Sequence, residues 1–135
     1  MSALDRTALK QGAMVSLVFA VPFSIGASVM AGSAVGALLW LGALAGFTLG
    51  AGIAAWTQQR GLPLLHGLVC AGGTYAAAQG LASIIRLARG SRVSWLAIFF
   101  TFTIVLFAGL IGGVLGSLLR KRGIVPGALE KARQQ

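Results

Sequence analysis

Acidic residues are almost absent from this chain, which has only Asp5 and Glu130 among its 135 residues. The long segment between them contains no carboxylate that could exchange protons for a cation inside a membrane. This argues against the mechanism of small four-helix multidrug exporters, which need a membrane-embedded glutamate. Reactive side chains are also few, since Cys70 is the only cysteine and His66 the only histidine. Because no nucleophile has a visible base and no ligand pair has metal spacing, the sequence predicts no catalytic residue, metal site or cofactor.

Charged residues of either sign are missing from three long segments. The uncharged runs cover 49 residues between Lys10 and Arg60, 25 between Arg60 and Arg86, and 27 between Arg92 and Arg120. A helix needs about 20 apolar residues to cross a bilayer, so the first run must fold back on itself. With 57% hydrophobic residues and a mean hydropathy of +0.89, the composition is that of an integral membrane protein.

The pattern predicts an all-α integral membrane protein, with residues 1–135 forming a single membrane domain. Four transmembrane helices are expected at about 12–29, 35–57, 63–85 and 93–119, followed by a short basic tail over 120–135. Because the connections are short, neighbouring helices should be antiparallel. The expected architecture is a four-helix bundle made of two helical hairpins.

Positive charges predict the orientation of this bundle. The net charge is +9, but the cations lie at the ends of apolar runs rather than on a basic helix face, so we expect no nucleic-acid partner. With both termini in the cytoplasm, eight cations are cytoplasmic: Arg6, Lys10, Arg60, Arg120, Lys121, Arg122, Lys131 and Arg133. Three are then external: Arg86, Arg89 and Arg92. The positive-inside rule therefore favours the N-in/C-in orientation.

A weak internal similarity relates the second and fourth predicted helices. Leu49, Gly50, Arg60 and Gly61 match Ile111, Gly112, Arg122 and Gly123 at a constant offset of 62 residues. Two parallel copies of a helical hairpin would explain the match, and so would chance similarity between glycine-rich helices.

Small residues recur at every fourth position in three helices. These positions are Gly42, Gly46, Gly50 and Ala54; Gly72, Ala76 and Gly80; and Gly112 with Gly116. This spacing places each set on one helix face, where a missing side chain lets two helix backbones approach closely. We expect these faces to hold the bundle together, or one of them to contact a second subunit.

Three polar side chains are candidates for contacts within the membrane. His66 lies near the cytoplasmic end of the third helix, where it is either hydrogen-bonded or part of a proton relay. Gln79 lies deeper, so its amide should bond a neighbouring helix or contact a substrate, with Tyr75 close by.

Two groups of cations are candidates for binding an anionic lipid or an acidic partner. One group is Arg86, Arg89 and Arg92, and the other is Arg120, Lys121 and Arg122. Arginine matches the geometry of phosphate and carboxylate, although side chains at helix ends also reach lipid phosphates without any specific function.

Three segments of the chain form a pattern rich in small residues. They are the predicted cytoplasmic segment 50–67, the Gly- and Ala-rich third helix, and the segment Gly109-Leu110-Ile111-Gly112-Gly113-Val114-Leu115-Gly116. In these segments the chain resembles the YrzE-like family of small bacterial four-helix membrane proteins. The resemblance implies a multi-pass protein of the bacterial plasma membrane, and it transfers no activity and no functional residue.

These observations favour a non-enzymatic membrane protein that packs against itself or a larger membrane complex within the lipid bilayer. One alternative is a small transporter or channel formed by the hairpins, for instance as a dimer. A second alternative is a protein that binds anionic lipids through its basic loops.

Overall fold

A computed structural model describes residues 3–135, without the side chains of residues 128, 129, 132 and 133. All secondary structure in this part of the chain is α-helical. The helices are α1 (Arg6–Val29), α2 (Ala34–Thr57), α3 (Pro63–Ala88), α4 (Trp95–Lys121) and α5 (Gly127–Gln134). Helices α1 to α4 are long and apolar enough to cross a membrane, which agrees with the expected all-α membrane bundle. Residues 1 and 2 of the predicted domain, and the Arg133 side chain counted in the charge rule, lie outside the description.

The helix ends follow from local capping groups. The Asp5 side chain accepts hydrogen bonds from the backbone N–H groups of Thr7 and Ala8, so α1 begins at Arg6 and not near residue 12. Ser33 caps α2 in the same way, through the N–H of Gly36. Helices α3 and α4 extend beyond the predicted ends at residues 85 and 119, because basic residues continue the last turn at the helix's negative pole. The short helix α5 in the basic tail was not predicted.

The first four helices run alternately up and down, so the bundle has two distinct ends. One end is formed by the start of α1, the α2–α3 connection and the end of α4, and we call it the Arg120 end. The Arg86 end contains the α1–α2 and α3–α4 turns. Helix α1 packs mainly on α2, α2 packs also on α4 and α3, and α3 packs on α4, whereas the contact between α1 and α3 is smaller than any of these.

The interior of the bundle consists mainly of small side chains. In α1 the buried residues are Ala8, Gly12, Ser16 and Ala20, spaced four apart. Larger residues form a central cluster in which Phe47, Tyr75 and Val105 pack with three alanines. Many large apolar side chains point outward, for example Val29 and Leu96 at 79% and 83% exposure. This distribution suits a bundle surrounded by lipid, in which close backbone packing holds the helices together.

The small residues of α2 face α1. A Cβ atom added at Gly42 would lie 2.8 Å from the Phe23 ring, and one added at Gly46 would lie 2.9 Å from the Phe19 Cβ atom. At Gly50 it would lie 2.5 Å from the Gly12 carbonyl oxygen. A Cβ atom at Gly12 would in turn lie 2.7 Å from that of Ala54. The four-residue pattern of α2 therefore lies along a single helix contact.

The glycines of α4 contact two different helices. Gly112 and Gly116 face α2, where added Cβ atoms would lie 2.8 Å from the Ala51 Cβ and 2.9 Å from the Ala55 Cβ. Gly109 and Gly113 face α3, and a Cβ atom at Gly67 would lie 2.7 Å from the Gly109 carbonyl oxygen. Packing roles for Gly67, Gly109 and Gly113 were not predicted from the sequence, although Gly109 and Gly113 have the same four-residue spacing.

The predicted small-residue face of α3 is only partly a contact within the chain. Gly72 lies against α4, with 2.9 Å from an added Cβ atom to a methyl carbon of Leu106. Ala76 is exposed, and an added Cβ atom at Gly80 would find no atom within 4 Å. Both residues line an open groove between α3 and α4, together with Ile98 and Phe99. The close helix contact expected inside the bundle is therefore corrected for Ala76 and Gly80, because α3 and α4 are farther apart at this level.

Candidate functional site

The Arg120 end is closed by hydrogen bonds around His66. This side chain is fully buried, and its Nε2 atom accepts a 2.8 Å hydrogen bond from the backbone N–H of Asp5. Its Nδ1 atom lies 2.7 Å from the carbonyl oxygen of Leu62, to which an Nδ1–H group donates. These two bonds specify the neutral tautomer with the proton on Nδ1. His66 lies near the start of α3, as the sequence predicts. Its hydrogen bond with Asp5, the residue before α1, was not predicted.

The α2–α3 connection is fixed by further hydrogen bonds. Gln58 is 1% exposed, and its side-chain oxygen accepts from the backbone N–H of Arg60 at 2.7 Å. The Arg120 guanidinium donates to the Gln58 carbonyl oxygen, which lies just after the end of α2. The Asp5 carboxylate accepts from the backbone N–H of Gln59 at 3.3 Å. Segments from α1, α4 and the connection are thus joined at this end of the bundle.

The hydrogen bonds at this end of the bundle lower the pKa of the Asp5 carboxyl group. Its partial burial raises the pKa, but hydrogen bonds from three backbone N–H groups favour the charged form more strongly. The net result is a pKa below the ordinary value of 3.8, so the carboxylate is charged at neutral pH.

The Arg86 end contains a cavity between the two hairpins. Its main part has a volume of about 470 Å³, and a second part of about 350 Å³ opens between α1 and α3. Both parts are lined by Ser24, Ser28, Phe47, Tyr75, Gln79 and Arg86, and we refer to them together as the Arg86 cavity. The cavity forms where α1 and α3 separate. Nearer the Arg120 end, the two helices of each hairpin are in close contact, at Gly12 in the first hairpin and at Gly67 in the second.

One face of α3 supplies the polar wall of this cavity. Tyr75, Gln79 and Arg86 lie four and seven residues apart, a spacing that places them on the same side of a helix. Eleven residues separate Tyr75 from Arg86, which corresponds to a depth of about 16 Å along the helix. The opposite wall comes from Ser24 and Ser28 of α1, again four residues apart. The cavity therefore reaches from the helix end well into the membrane-spanning region.

Aromatic rings form the base of the Arg86 cavity. The Tyr75 ring packs edge-on against Phe47 at a centroid distance of 6.0 Å and lies 5.9 Å from Phe102. Its hydroxyl group donates to the Ile98 carbonyl oxygen at 3.2 Å. Tyr75 is thus held in place by α2 and α4, and its position on the cavity wall is fixed.

Gln79 and Arg86 have polar groups available inside the cavity. The Gln79 amide makes no hydrogen bond to another described residue, which corrects the expectation that it bonds a neighbouring helix. Arg86 has no nearby carboxylate, because Asp5 and Glu130 both lie at the Arg120 end. The cavity wall therefore presents a guanidinium and an amide, both of which can donate hydrogen bonds to a ligand.

The structure distinguishes between the cations that the sequence placed together. Arg86, Arg89 and Arg92 are all exposed, but Arg86 lines the cavity, while Arg89 and Arg92 lie in the segment beyond α3. At the other end, Arg120 donates to Gln58, Lys121 is exposed, and Arg122 lines a surface groove between α2 and α4.

Two serines of this cavity were not identified from the sequence. Ser24 and Ser28 lie on the helix that contains Pro22, and their four-residue spacing in its otherwise apolar second half could have indicated a polar face. Among the described residues, no group of three or more His, Cys, Asp or Glu side chains is arranged to hold a metal ion.

Comparisons with protein-family models, with curated proteins and with solved structures gave no match to this chain.

Proposed function

We propose that this chain is a non-enzymatic, multi-pass protein of a bacterial plasma membrane that binds an anionic group in the Arg86 cavity. The observation that carries the proposal is the pairing of Arg86 with the unbonded Gln79 amide on one cavity wall. An arginine fork can donate two hydrogen bonds to a phosphate or carboxylate, and a nearby amide can add a third.

The energetics of the membrane support an anionic ligand. An amide without a hydrogen-bond partner is costly in a medium that contains no water. Gln79 carries such an amide: it is half-buried and lies about 10 Å deeper along α3 than Arg86, which is exposed at the helix end. An anion seated between Arg86 and Gln79 would neutralise the guanidinium and satisfy the amide at once. A cationic ligand is disfavoured, because the cavity contains no acidic side chain.

We further propose that both termini are cytoplasmic, as the distribution of positive charges favours. The Arg86 cavity would then open toward the outer leaflet, and the closed Arg120 end would face the cytoplasm. Closure by the Asp5–His66 and Arg120–Gln58 hydrogen bonds supports binding over conduction through a continuous pore. Membership of the YrzE-like family stays a proposal based on the glycine pattern.

The packing subunit favoured by the sequence is compatible with this binding function. The α2 pattern that suggested self-association is occupied within the chain by α1. Association with itself or with a larger membrane complex would therefore use other faces, such as the exposed Ala76 and Gly80 side of α3.

Binding can be measured with purified protein in nanodiscs of a zwitterionic lipid. Native mass spectrometry would compare retention of phosphatidylglycerol with that of phosphatidylcholine bearing the same acyl chains. We expect wild-type protein to retain the anionic lipid preferentially, and Arg86→Gln to lower this preference at least about fivefold, as for the loss of one cation–phosphate contact. Arg89→Gln is the matched control, since it removes a neighbouring charge that does not line the cavity.

A second arm of the experiment distinguishes a soluble anion from an anionic lipid as the ligand. If inorganic phosphate raises the unfolding temperature of wild-type protein but not of Arg86→Gln, the ligand is a free anion and not a lipid. Gln79→Leu should weaken binding in whichever arm is positive. Equal losses in Arg86→Gln and Arg89→Gln, or no anion preference in either arm, would refute a site in this cavity.

A further inference from the structure

A second feature lies at the opposite end of the bundle, on the outer surface where α2 and α4 meet. It is a groove of about 470 Å³ that we call the α2–α4 groove. Its lining is almost entirely apolar and includes Leu49, Gly52, Trp56, Leu115, Gly116 and Arg122. The groove lies outside the Arg86 cavity and shares none of its lining residues.

Glycine makes the groove by removing side chains from its floor. A Cβ atom at Gly116 would contact the Gly52 carbonyl oxygen and lie 2.9 Å from the Ala55 Cβ atom. The two helix backbones therefore touch here, while Leu49 and Leu115 project outward at 54% and 51% exposure. The result is a groove whose floor is helix backbone, whose sides are leucine side chains, and which opens toward the lipid.

The end of the groove nearest the membrane surface is fixed and positively charged. The Trp56 indole N–H donates to the Ile124 carbonyl oxygen at 2.7 Å, which holds the ring against the segment that follows α4. Arg122 lies at this rim, and Lys121 precedes it in the chain. Arg120 is engaged by Gln58, so Arg122 is the arginine of this group that lines the groove.

We propose that the α2–α4 groove binds an anionic phospholipid, with one acyl chain along the leucine-lined floor and the phosphate on Arg122. The apolar lining fits a hydrocarbon chain, and the cation at one end fits the lipid's phosphate at headgroup depth. Charge complementarity selects the anionic lipid over a zwitterionic one, because no acidic side chain lines the groove. A helix of a second copy is the competing occupant.

Trp56 reports directly on the occupant, because its ring lines the groove. The experiment uses full-length protein with Trp40→Phe and Trp95→Phe, so that Trp56 is the remaining fluorophore. Phosphatidylglycerol and phosphatidylcholine carrying the same brominated acyl chains are titrated into nanodiscs, and quenching of Trp56 is measured. We expect the anionic lipid to quench at lower mole fraction.

Two variants separate the headgroup contact from the acyl-chain contact. Arg122→Gln should lower the preference for the anionic lipid about fivefold, while Lys121→Gln should lower it clearly less. Gly52→Leu should reduce quenching by both lipids, because its side chain would occupy the groove. The new Cβ atom would lie 3.4 Å from the Gly112 carbonyl oxygen and 3.9 Å from the Gly112 Cα atom, both ordinary contacts, so the bundle should tolerate it. Gly73→Leu, at a position with no atom within 4 Å, is the control for adding a leucine to the bundle.

Three outcomes would overturn the proposal. The first is equal quenching of wild-type Trp56 by the two lipids, and the second is an equal loss of preference in Lys121→Gln and Arg122→Gln. The third is a Gly52→Leu protein with unchanged quenching and an altered oligomeric state, which would assign the groove to a second copy. Because Arg86→Gln should leave Trp56 quenching unchanged, failure here is distinguishable from failure of the Arg86 cavity.

Discussion

The Nε2 atom of His66 accepts a hydrogen bond from the backbone N–H of Asp5, a residue 61 positions earlier in the chain. With Nδ1–H donating to the Leu62 carbonyl, both ring nitrogens of this buried imidazole are occupied. The side chain that the sequence left open as a proton relay is therefore positioned as a structural link between α1 and α3. The same link closes the end of the bundle opposite the Arg86 cavity.

Proton-coupled transport is expected to be absent. No acidic residue lies in the four spanning helices, and both nitrogens of His66 are already hydrogen-bonded. Purified protein in liposomes with a pH gradient should show no proton-coupled uptake and no cation exchange above empty liposomes. Exchange that is driven by wild-type protein and abolished in His66→Ala would contradict this expectation and make His66 the coupling residue.

The α1–α2 contact should be sensitive to side-chain size at Gly50. A leucine there would collide with the buried Ser16 side chain and the Gly12 backbone, so we expect Gly50→Leu to lower the free energy of unfolding by about 1–3 kcal/mol, as overpacking does. Thermal unfolding in mild detergent would measure the change. Gly73→Leu should be nearly silent, because an added Cβ atom meets no atom within 4 Å. Equal stability of the two variants would mean that the Gly50 face is not a tight contact.

The Asp5 cap should make stability depend on acidity. Its folded-state pKa lies below the ordinary 3.8, so the carboxylate stabilises the fold above about pH 4 and loses this contribution as pH falls further. At neutral pH, Asp5→Ala should cost about 0.5–2 kcal/mol, the usual range for loss of a helix N-cap. The difference from wild type should shrink toward pH 3, as measured by unfolding in detergent micelles.

Glu130 provides the matched carboxylate for this experiment. It is exposed in the first turn of α5, and Glu130→Ala should have little effect at any pH. A cost of Asp5→Ala that is the same at pH 3 and at neutral pH would show that its charge does not contribute.

Topology can be read from cysteine accessibility. If both termini are cytoplasmic, a membrane-impermeant thiol reagent added outside intact cells should label Ser91→Cys in the α3–α4 turn but not Gln135→Cys. Native Cys70 is 3% exposed and should stay unlabelled, which serves as the internal control. Ser2→Cys, at a position outside the described residues, tests the other terminus. Labelling of Ser2→Cys from outside would reverse the proposed orientation.

Several features of the site could be inferred from residue spacing, and others could not. The spacing of Gly42, Gly46 and Gly50 identified a contact face, and the α2 face does pack closely on α1. The same rule placed Gly80 on a packing face, but an added Cβ atom there meets no atom within 4 Å inside the bundle, since spacing alone does not show how closely two helices approach. Arg86, Arg89 and Arg92 were indistinguishable in the sequence, yet only Arg86 of the three lines the cavity.

Hydropathy alone predicts four helices able to span a membrane and their approximate bounds, because the cost of placing a charge in hydrocarbon restricts Arg60, Arg86 and Arg120 to the neighbourhood of helix ends. The sequence also determined the absence of a carboxylate between Asp5 and Glu130. Tertiary structure decided which residues meet, such as Asp5 with His66, and where the two hairpins separate. The physical reason is that lipid is as apolar as a protein interior, so hydropathy does not mark the buried face of a membrane helix. Only the mutual packing of the helices sets their rotation, and that rotation brings Arg86 and Gln79 to one cavity wall.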